Sequence, residues 1–473
     1  MKPQVEPATA IAVLFAAVVA VPMGLVLTQV SDAIALGAGL LLAILVAATA
    51  SNELALYLLL FSMLLGPQFL LGDLEGASLG RGLTLRLDDV ILSIVGLTWL
   101  AKTALYKELG LAFRTPLNVP MAAYAIAAIL ATGLGVLTGT VRGGGGFFFV
   151  VKYIQYFVIY FMVVNNLRDR RQFQRFLVAL LLTAAVVSVI GVLQIPGGER
   201  VSAPFEGKGG EPNTLGGYLV LMLALVLGLL LASRSGRARL LLGLLALVVL
   251  VPLLFTLSRA SYLALIPMAL ALLVWSERKA PIALALALAL VAAPFVVPRS
   301  VADRVLYTFT EAPHGGQLQV AGFRLDGSTS ERIQSWRIAL LEDWPKRPVF
   351  GFGVTGYRFL DAQYPRVLAE TGMVGFAAFL WLQASLFAEA LRVLRRTRDP
   401  LFKGVALGFL AGFVALVTHS IGANTFIIVR IMEPFWFLTG MVILIPQLET
   451  PEPAVASPRP GGRRAPFAEA GRA

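Results

Sequence analysis

Long apolar runs separated by short polar breaks dominate the chain, and the breaks alternate in charge. Apolar stretches of about 20 residues recur along the whole length, as a hydrocarbon slab ~30 Å thick requires of each helix. They centre near residues 19, 42, 62, 97, 129, 156, 186, 223, 248, 267, 289, 381, 411 and 437. The pattern predicts an all-α fold, a polytopic transmembrane helical bundle of about 12–14 spans. A β-barrel would instead read as alternating segments of ~10 residues, and the chain has none.

The breaks fix an expected orientation. Leu167–Arg175 (LRDRRQFQR), Ser233–Arg239 (SRSGRAR), Glu277–Lys279 (ERK) and Leu394–Lys403 (LRRTRDPLFK) are basic and fall at every second loop, with Lys102, Lys107 and Arg114 on the same side. Short loops rich in Lys and Arg stay cytoplasmic. Both termini are then expected in the cytoplasm, and Arg142, Arg259, the loop Glu199–Asn213 and the long segment Arg299–Ala369 face outward. The first apolar run, Ala8 to about Val30, follows only Lys2 and Glu6 and lacks a small-residue cleavage site. It reads as a retained membrane helix, not a cleaved signal. Four regions follow: membrane helices with short loops over 1–298, an external segment with amphipathic helices over 299–369, C-terminal membrane helices over 370–447, and a cytoplasmic tail over 448–473. The tail, rich in Pro, Ala, Gly and Arg, is expected to be disordered.

Composition sharpens this picture. Of 473 residues, 58% are hydrophobic and 14% charged, against about 45–50% and about 25% in soluble domains. There is no cysteine, which excludes disulfides, thiolate metal sites and a cysteine nucleophile. The net charge of +12 reflects the basic-loop bias and contact with anionic membrane lipids, not nucleic acid, because no basic stretch carries interleaved aromatics on a soluble face.

Candidate chemistry gathers on the outer side. Arg259 sits at the outer end of a tight hairpin between apolar runs, flanked by Ser258 and Ser261. It is either a snorkelling interfacial arginine or a binding group. Arg200 and Lys208 lie in a glycine-rich outer loop, and the long segment adds Arg324, Arg332, Arg337, Lys346, Arg347, Arg358 and Arg366. Guanidinium forks match phosphate oxygens and keep their charge. A membrane-anchored phosphate or diphosphate and ordinary anionic headgroups both fit such a set. Ser328–Trp344 opens with Ser328 and Glu331 at capping-box spacing and repeats Ile333, Trp336, Leu340 and Trp344 at helical spacing, which predicts one amphipathic helix of about 17 residues ended by Pro345. Gly351–Gly356 (GFGVTG) is formally GxGxxG, but no strand precedes it. A dinucleotide reading fails, leaving a turn whose amides are candidates to approach an anion.

TLSRASYLAL (256–265), ERIQSWRIALLEDWPKRPVFGFGVTGYRF (331–359), YPRVLAETGMVGF (364–376) and GEPNTLGGYLVLMLAL (210–225) together resemble the signature region of the O-antigen ligase and O-antigen polymerase superfamily, over roughly Arg200 to Gly375. The resemblance implies a bacterial inner-membrane glycosyltransferase. Such an enzyme moves a glycan from undecaprenyl diphosphate to a sugar hydroxyl on the periplasmic face without a metal or cofactor. Acceptors are a second lipid-linked glycan for polymerases and lipid A-core for ligases, and a chain-length regulator is a further partner of the polymerase type. Arg259 matches the arginine of the family's Ser-Arg element, and Arg200 the arginine of its preceding outer loop. Fixed cations would stabilise charge growing on the departing diphosphate.

One departure separates the chain from the ligases. Gly372 and Gly375 fit the family's GxxG, but the histidine position ahead of it holds Asp361 and the next Ala362. Asp361 is the candidate base, with Glu370 second. Neither His314 nor His419, the two histidines, aligns. The missing histidine favours polymerase over ligase. A transporter or flippase of lipid-linked glycan is the alternative of another class. It would concentrate charge at the membrane midplane, where only Lys152 and the Arg430/Glu433 pair lie.

Overall fold

The computed structural model describes residues 44–47, 50–66, 68–70, 84–105, 114–142, 145–204, 210–312, 315–320 and 323–449. The expected first span, most of the second, Lys107, Lys208, His314 and nearly all of the tail lie outside them. The helices are α1 (Asn52–Leu65), α2 (Leu87–Leu105), α3 (Asn118–Leu137), α4 (Gly145–Asn166), α5 (Arg170–Gln194), α6 (Pro212–Ala232) and α7 (Gly236–Phe255). They continue as α8 (Arg259–Trp275), α9 (Lys279–Val296), α10 (Arg299–Thr310), α11 (Gly327–Arg337), α12 (Gln363–Arg396), α13 (Pro400–His419) and α14 (Val429–Glu449). Two small antiparallel ribbons complete the fold: β1 (Gln68–Leu70) pairs Phe69 with Leu85 of β2 (Thr84–Arg86), and β3 (Gln319–Val320) pairs Gln319 with Arg324 of β4 (Phe323–Arg324).

Among the described residues 9 helices are long and apolar enough to cross a membrane. They are α3–α7, α9 and α12–α14, and shorter apolar helices lie at Asn52–Leu65, Asp89–Ala101 and Arg259–Trp275. Together they cover every expected centre from 62 to 437. The fold is the all-α polytopic bundle that the apolar pattern predicts.

The helices differ sharply in burial. About three quarters of α6, α13 and α14 is enclosed, against 6% of α9, whose Leu288, Leu290, Val291, Phe295 and Val296 all point outward. An apolar outer surface of this kind suits hydrocarbon, not water. At the centre α13 packs along α6 through Gly404, Gly408 and Gly412, one turn apart. A Cβ on Gly228 of α6 would collide with the Gly408 amide. Small residues at such a seam let two backbones approach and gain dispersion contact where lipid removes any hydrophobic drive.

Polar links at the helix ends define two faces. On the basic face Asn52 bonds Asn166 at 2.8 Å, Arg170 pairs with Asp399 at 2.8 Å, and Lys403 pairs with Glu277. Between the faces Lys152 is not alone: it pairs with Asp89 of α2, and Gln155 donates to the same carboxylate at 3.1 Å. Arg430 donates to the carbonyls of Leu64, Gly66 and Pro204, tying the C-terminal end of α1 and the 201–204 loop to the start of α14.

On the opposite face the described residues between 299 and 362 form a cap. Here two local expectations fail. The N-cap of α11 is Asp326, not Ser328: its carboxylate accepts from the Thr329 amide at 3.2 Å. Asp is as good a cap as Ser, and Asp326 lies where the chain leaves β4. Nor is Ser328–Trp344 one α-helix. It is α at Gly327–Arg337, a π turn at Ile338–Asp343 and a 3₁₀ turn at Trp344–Lys346. The predicted inner face survives, since Ile333, Trp336, Leu340 and Trp344 are all half-buried while Leu341 is 69% exposed. The cap joins the bundle through α12, which breaks at Gly372 (φ 64°, ψ −166°). Only glycine takes this conformation readily, and a Cβ there would also strike the Val349 carbonyl.

Candidate functional site: an arginine cluster under the cap

Arg259 occupies the first position of α8, directly after its cap Ser258. The backbone before it is strained, because Leu257 has φ 50°, which a branched residue seldom adopts. Arg200 braces this turn: its Nε donates to the Thr256 carbonyl at 3.0 Å and an Nη to the Leu257 carbonyl at 3.2 Å. Burial, then the neighbouring cations Arg304 and Arg259, holds the Arg200 pKa below the ordinary arginine value. Two further guanidinium groups therefore act on Arg200 at this end of the α7–α8 hairpin. The Nε of Arg304, on α10, is buried without a hydrogen-bond partner.

Asp326 answers the charge of Arg259. The guanidinium makes a fork of 2.6 and 3.2 Å to the two carboxylate oxygens, and donates to Thr308 Oγ1 at 2.8 Å and Ser328 Oγ at 2.7 Å. Four of its five N–H groups are committed. Asp326 is 1% exposed. Burial opposes its ionisation, but hydrogen bonds from Arg259, Thr329 and Ser328 and the charge of Arg259 hold its carboxyl far below the usual range. The open Arg259 fork expected from sequence is thus filled by a carboxylate of the chain's own cap.

The two serines are also spoken for. Ser258 Oγ donates to Asn213 Oδ1 at 2.7 Å and accepts from Ser261 Oγ at 2.9 Å, and both residues are buried. As hydroxyl donors to a bound substrate they are corrected: they lock α6 to α8.

Asp361 accepts from Arg332 Nη2 at 2.5 Å, with 30% of its side chain exposed. It has the access that a surface base needs. Glu370 does not. Its carboxylate is buried, accepts from Arg366 Nε at 3.1 Å and from the Thr355 amide at 3.2 Å, and so fastens the GFGVTG turn to α12. Arg358 lies over the Tyr357 ring and 3.8 Å from Asp343. Hydrogen bonds from Lys346 and Tyr357, then burial opposed by the charges of Lys346 and Arg358, leave the Asp343 carboxyl below its usual value. Arg337 is exposed at the end of α11.

The anion-binding reading of GFGVTG fails for a countable reason. The amides of residues 351–356 bond Arg347 O, Ala369 O, Glu370 O, Thr132 Oγ1, Glu370 Oε1 and Gly353 O in turn. Its glycines are for close packing: a Cβ on Gly353 would meet Val141, Ala131 O and Gly135. His419 is buried, with Nδ1 2.8 Å from Thr425 Oγ1 and Nε2 unpartnered. Among the described residues no three His, Asp or Glu groups cluster closely enough to hold a metal ion.

The sequence reading missed Asp326, Thr308 and Arg304. Asp326 carried a signal, as an Asp ahead of Gly-Ser-Thr is a helix-start pattern, but Ser328 and Glu331 offered a competing one. Arg304 and Thr308 come from α10, whose position over the hairpin no spacing reveals.

These features define a class: a multi-pass helical membrane protein that carries a folded, cationic, carboxylate-containing cap at one end of its bundle. Residues 250–380 match the family described as O-antigen ligase. That domain supports placing the chain in the O-antigen ligase/polymerase superfamily and among membrane glycosyltransferases of that kind. It spans both strained residues, Leu257 and Thr355, and every residue discussed above from Arg259 to Glu370, while Arg200 lies outside it. No curated protein matches the chain.

Proposed function

We propose that this protein transfers a glycan from undecaprenyl diphosphate to a sugar hydroxyl of an acceptor on the periplasmic face of the bacterial inner membrane, and that it extends lipid-linked repeat units. The observation that carries this reading is the gathering of Arg200, Arg259 and Arg304 at one strained turn inside or beside the matched domain. Charge develops on the diphosphate as the sugar leaves, and prepositioned cations stabilise that state more than the ground state. Arg200 and Arg304 retain donors for it. Arg259, fixed by Asp326, contributes its field and its last N–H. Asp361 is the base that takes the acceptor proton, held in place by Arg332. The ligase reading is weaker because an aspartate stands at the ligase histidine position. A flippase reading gains little from the enclosed Lys152–Asp89 pair, whose charges already answer each other.

The test incubates purified protein with lipid-linked repeat units, with and without lipid A-core. Self-extension supports a polymerase, transfer only to the core a ligase, and no bond formation refutes both. Arg200→Gln and Arg304→Gln should each weaken donor use by about tenfold, the loss of one charge-assisted contact.

A further inference from the structure

A cavity lies on the other side of the molecule. It has a volume of about 340 Å³ at the basic face, between the α6–α7, α8–α9 and α12–α13 connections. Its rim carries Arg234, Arg278, Arg398 and Lys403, with one carboxylate, Glu277. Glu277 is already paired with Lys403 and its charge reaches Arg234 and Arg278, but among the described residues no carboxylate is bonded to any of the three guanidinium groups that line this space. Leu231, Leu394, Leu407 and Trp275 add apolar lining. Cationic groups, aliphatic side chains and a tryptophan around one cavity match the chemistry of a phospholipid at a membrane surface. A second cavity near Arg114 and Arg396 is about half the volume, and its Arg392 is paired with Glu389.

We propose that this cavity binds the phosphate headgroup of an anionic phospholipid from the leaflet facing the basic loops. The site is remote from the arginine cluster of the cap, and the proposal stands or falls independently of glycan transfer. Bound there, the lipid would add to the Lys403–Glu277 pair and clamp three helix connections together.

The probe is full-length, delipidated protein in neutral detergent, titrated separately with phosphatidylglycerol, phosphatidylcholine and inorganic phosphate while thermal unfolding is followed. Saturable stabilisation by phosphatidylglycerol alone is expected. The triple variant Arg234→Gln/Arg278→Gln/Arg398→Gln should weaken it by tenfold or more, at about tenfold per full charge-assisted contact. The control Arg168→Gln/Arg171→Gln/Arg395→Gln removes equal charge from the same face outside the cavity and should leave it unchanged. Equal losses in both triples would mean diffuse attraction and overturn the site. Equal stabilisation by inorganic phosphate would overturn the lipid assignment, and so would no stabilisation. Should the triple variant fail to fold, photoactivatable phosphatidylglycerol on the wild type decides. Labelling of peptides around Trp275, Arg234 and Arg398 supports the site, and labelling confined to other basic loops overturns it.

Discussion

The fork between Arg259 and Asp326 should fasten the cap to the bundle, and a double-mutant cycle measures how strongly. Arg259→Ala deletes two charge-assisted bonds of 2.6 and 3.2 Å and strands a carboxylate that is 1% exposed. Removing one partner of a buried pair costs about 3–5 kcal/mol. Because the arginine side chain remains 21% exposed, solvent and the last N–H soften the loss, and about 3 kcal/mol is expected. Asp326→Asn keeps an oxygen to cap α11 and leaves a cation that water can reach, so about 1–2 kcal/mol is expected. The double variant no longer buries an unpaired charge, and the coupling should reach about 2 kcal/mol. Unfolding of a membrane protein is seldom reversible, so the readout is amide hydrogen exchange at Asp326, Ser330 and Leu318. These amides bond Thr308 O, Asp326 O and Ser330 Oγ and report local opening of the cap. If the single costs add within about 0.5 kcal/mol, or exchange at these amides is unchanged in Arg259→Ala, the fork does not hold the cap.

The remaining expectations follow from single contacts. Because the Asp326 carboxyl is held below its ordinary pKa of about 3.9, the fork's contribution should be complete from about pH 5 to 8. It should fall only as acid passes below about pH 4, as pH-dependent exchange measures, and Asp326→Asn should remove that acid decline. Asp361→Asn should lower turnover by about 10²–10⁴-fold. Arg332→Gln should lower it by roughly tenfold with donor KM little changed, since Arg332 only positions the carboxylate; unaltered turnover in Asp361→Asn removes that residue from the chemistry. Gly228→Ala should cost at least about 1–3 kcal/mol by forcing α6 from α13, whereas Gly243→Ala, where a Cβ meets nothing, should be neutral or slightly stabilising; apparent melting temperatures taken at one fixed heating rate should rank them in that order.

The apolar pattern made the bundle legible because lipid leaves a chain no alternative to helices that satisfy their own backbone. Twelve expected centres fall on observed helices for that reason. The α6–α13 seam was legible too, as Gly404, Gly408 and Gly412 stand four apart, a signal the span-by-span reading passed over. What stayed hidden was pairing. Nothing local says that Lys152 meets Asp89, 63 positions away, or that Arg259 meets Asp326, 67 positions away. The GFGVTG turn shows the opposite error: its glycines suggested open amides, but tertiary packing had already claimed each one.

That pairing changes what the cluster of cations can do. A lone arginine would meet a diphosphate with five free donors. Arg259 meets it with one, and any bidentate grip must first evict Asp326 from a site where it also caps α11 and binds Thr329 and Ser328. Opening the fork would therefore loosen the start of α11, the helix that carries Arg332, the partner of Asp361. Donor binding at the hairpin and the setting of the base would then be coupled through one short helix. The coupling is measurable: in Asp326→Asn the fork is weakened beforehand, so donor should bind more tightly while turnover falls. A variant in which both parameters keep their wild-type values would show that Arg259 and Asp361 act through separate parts of the cap.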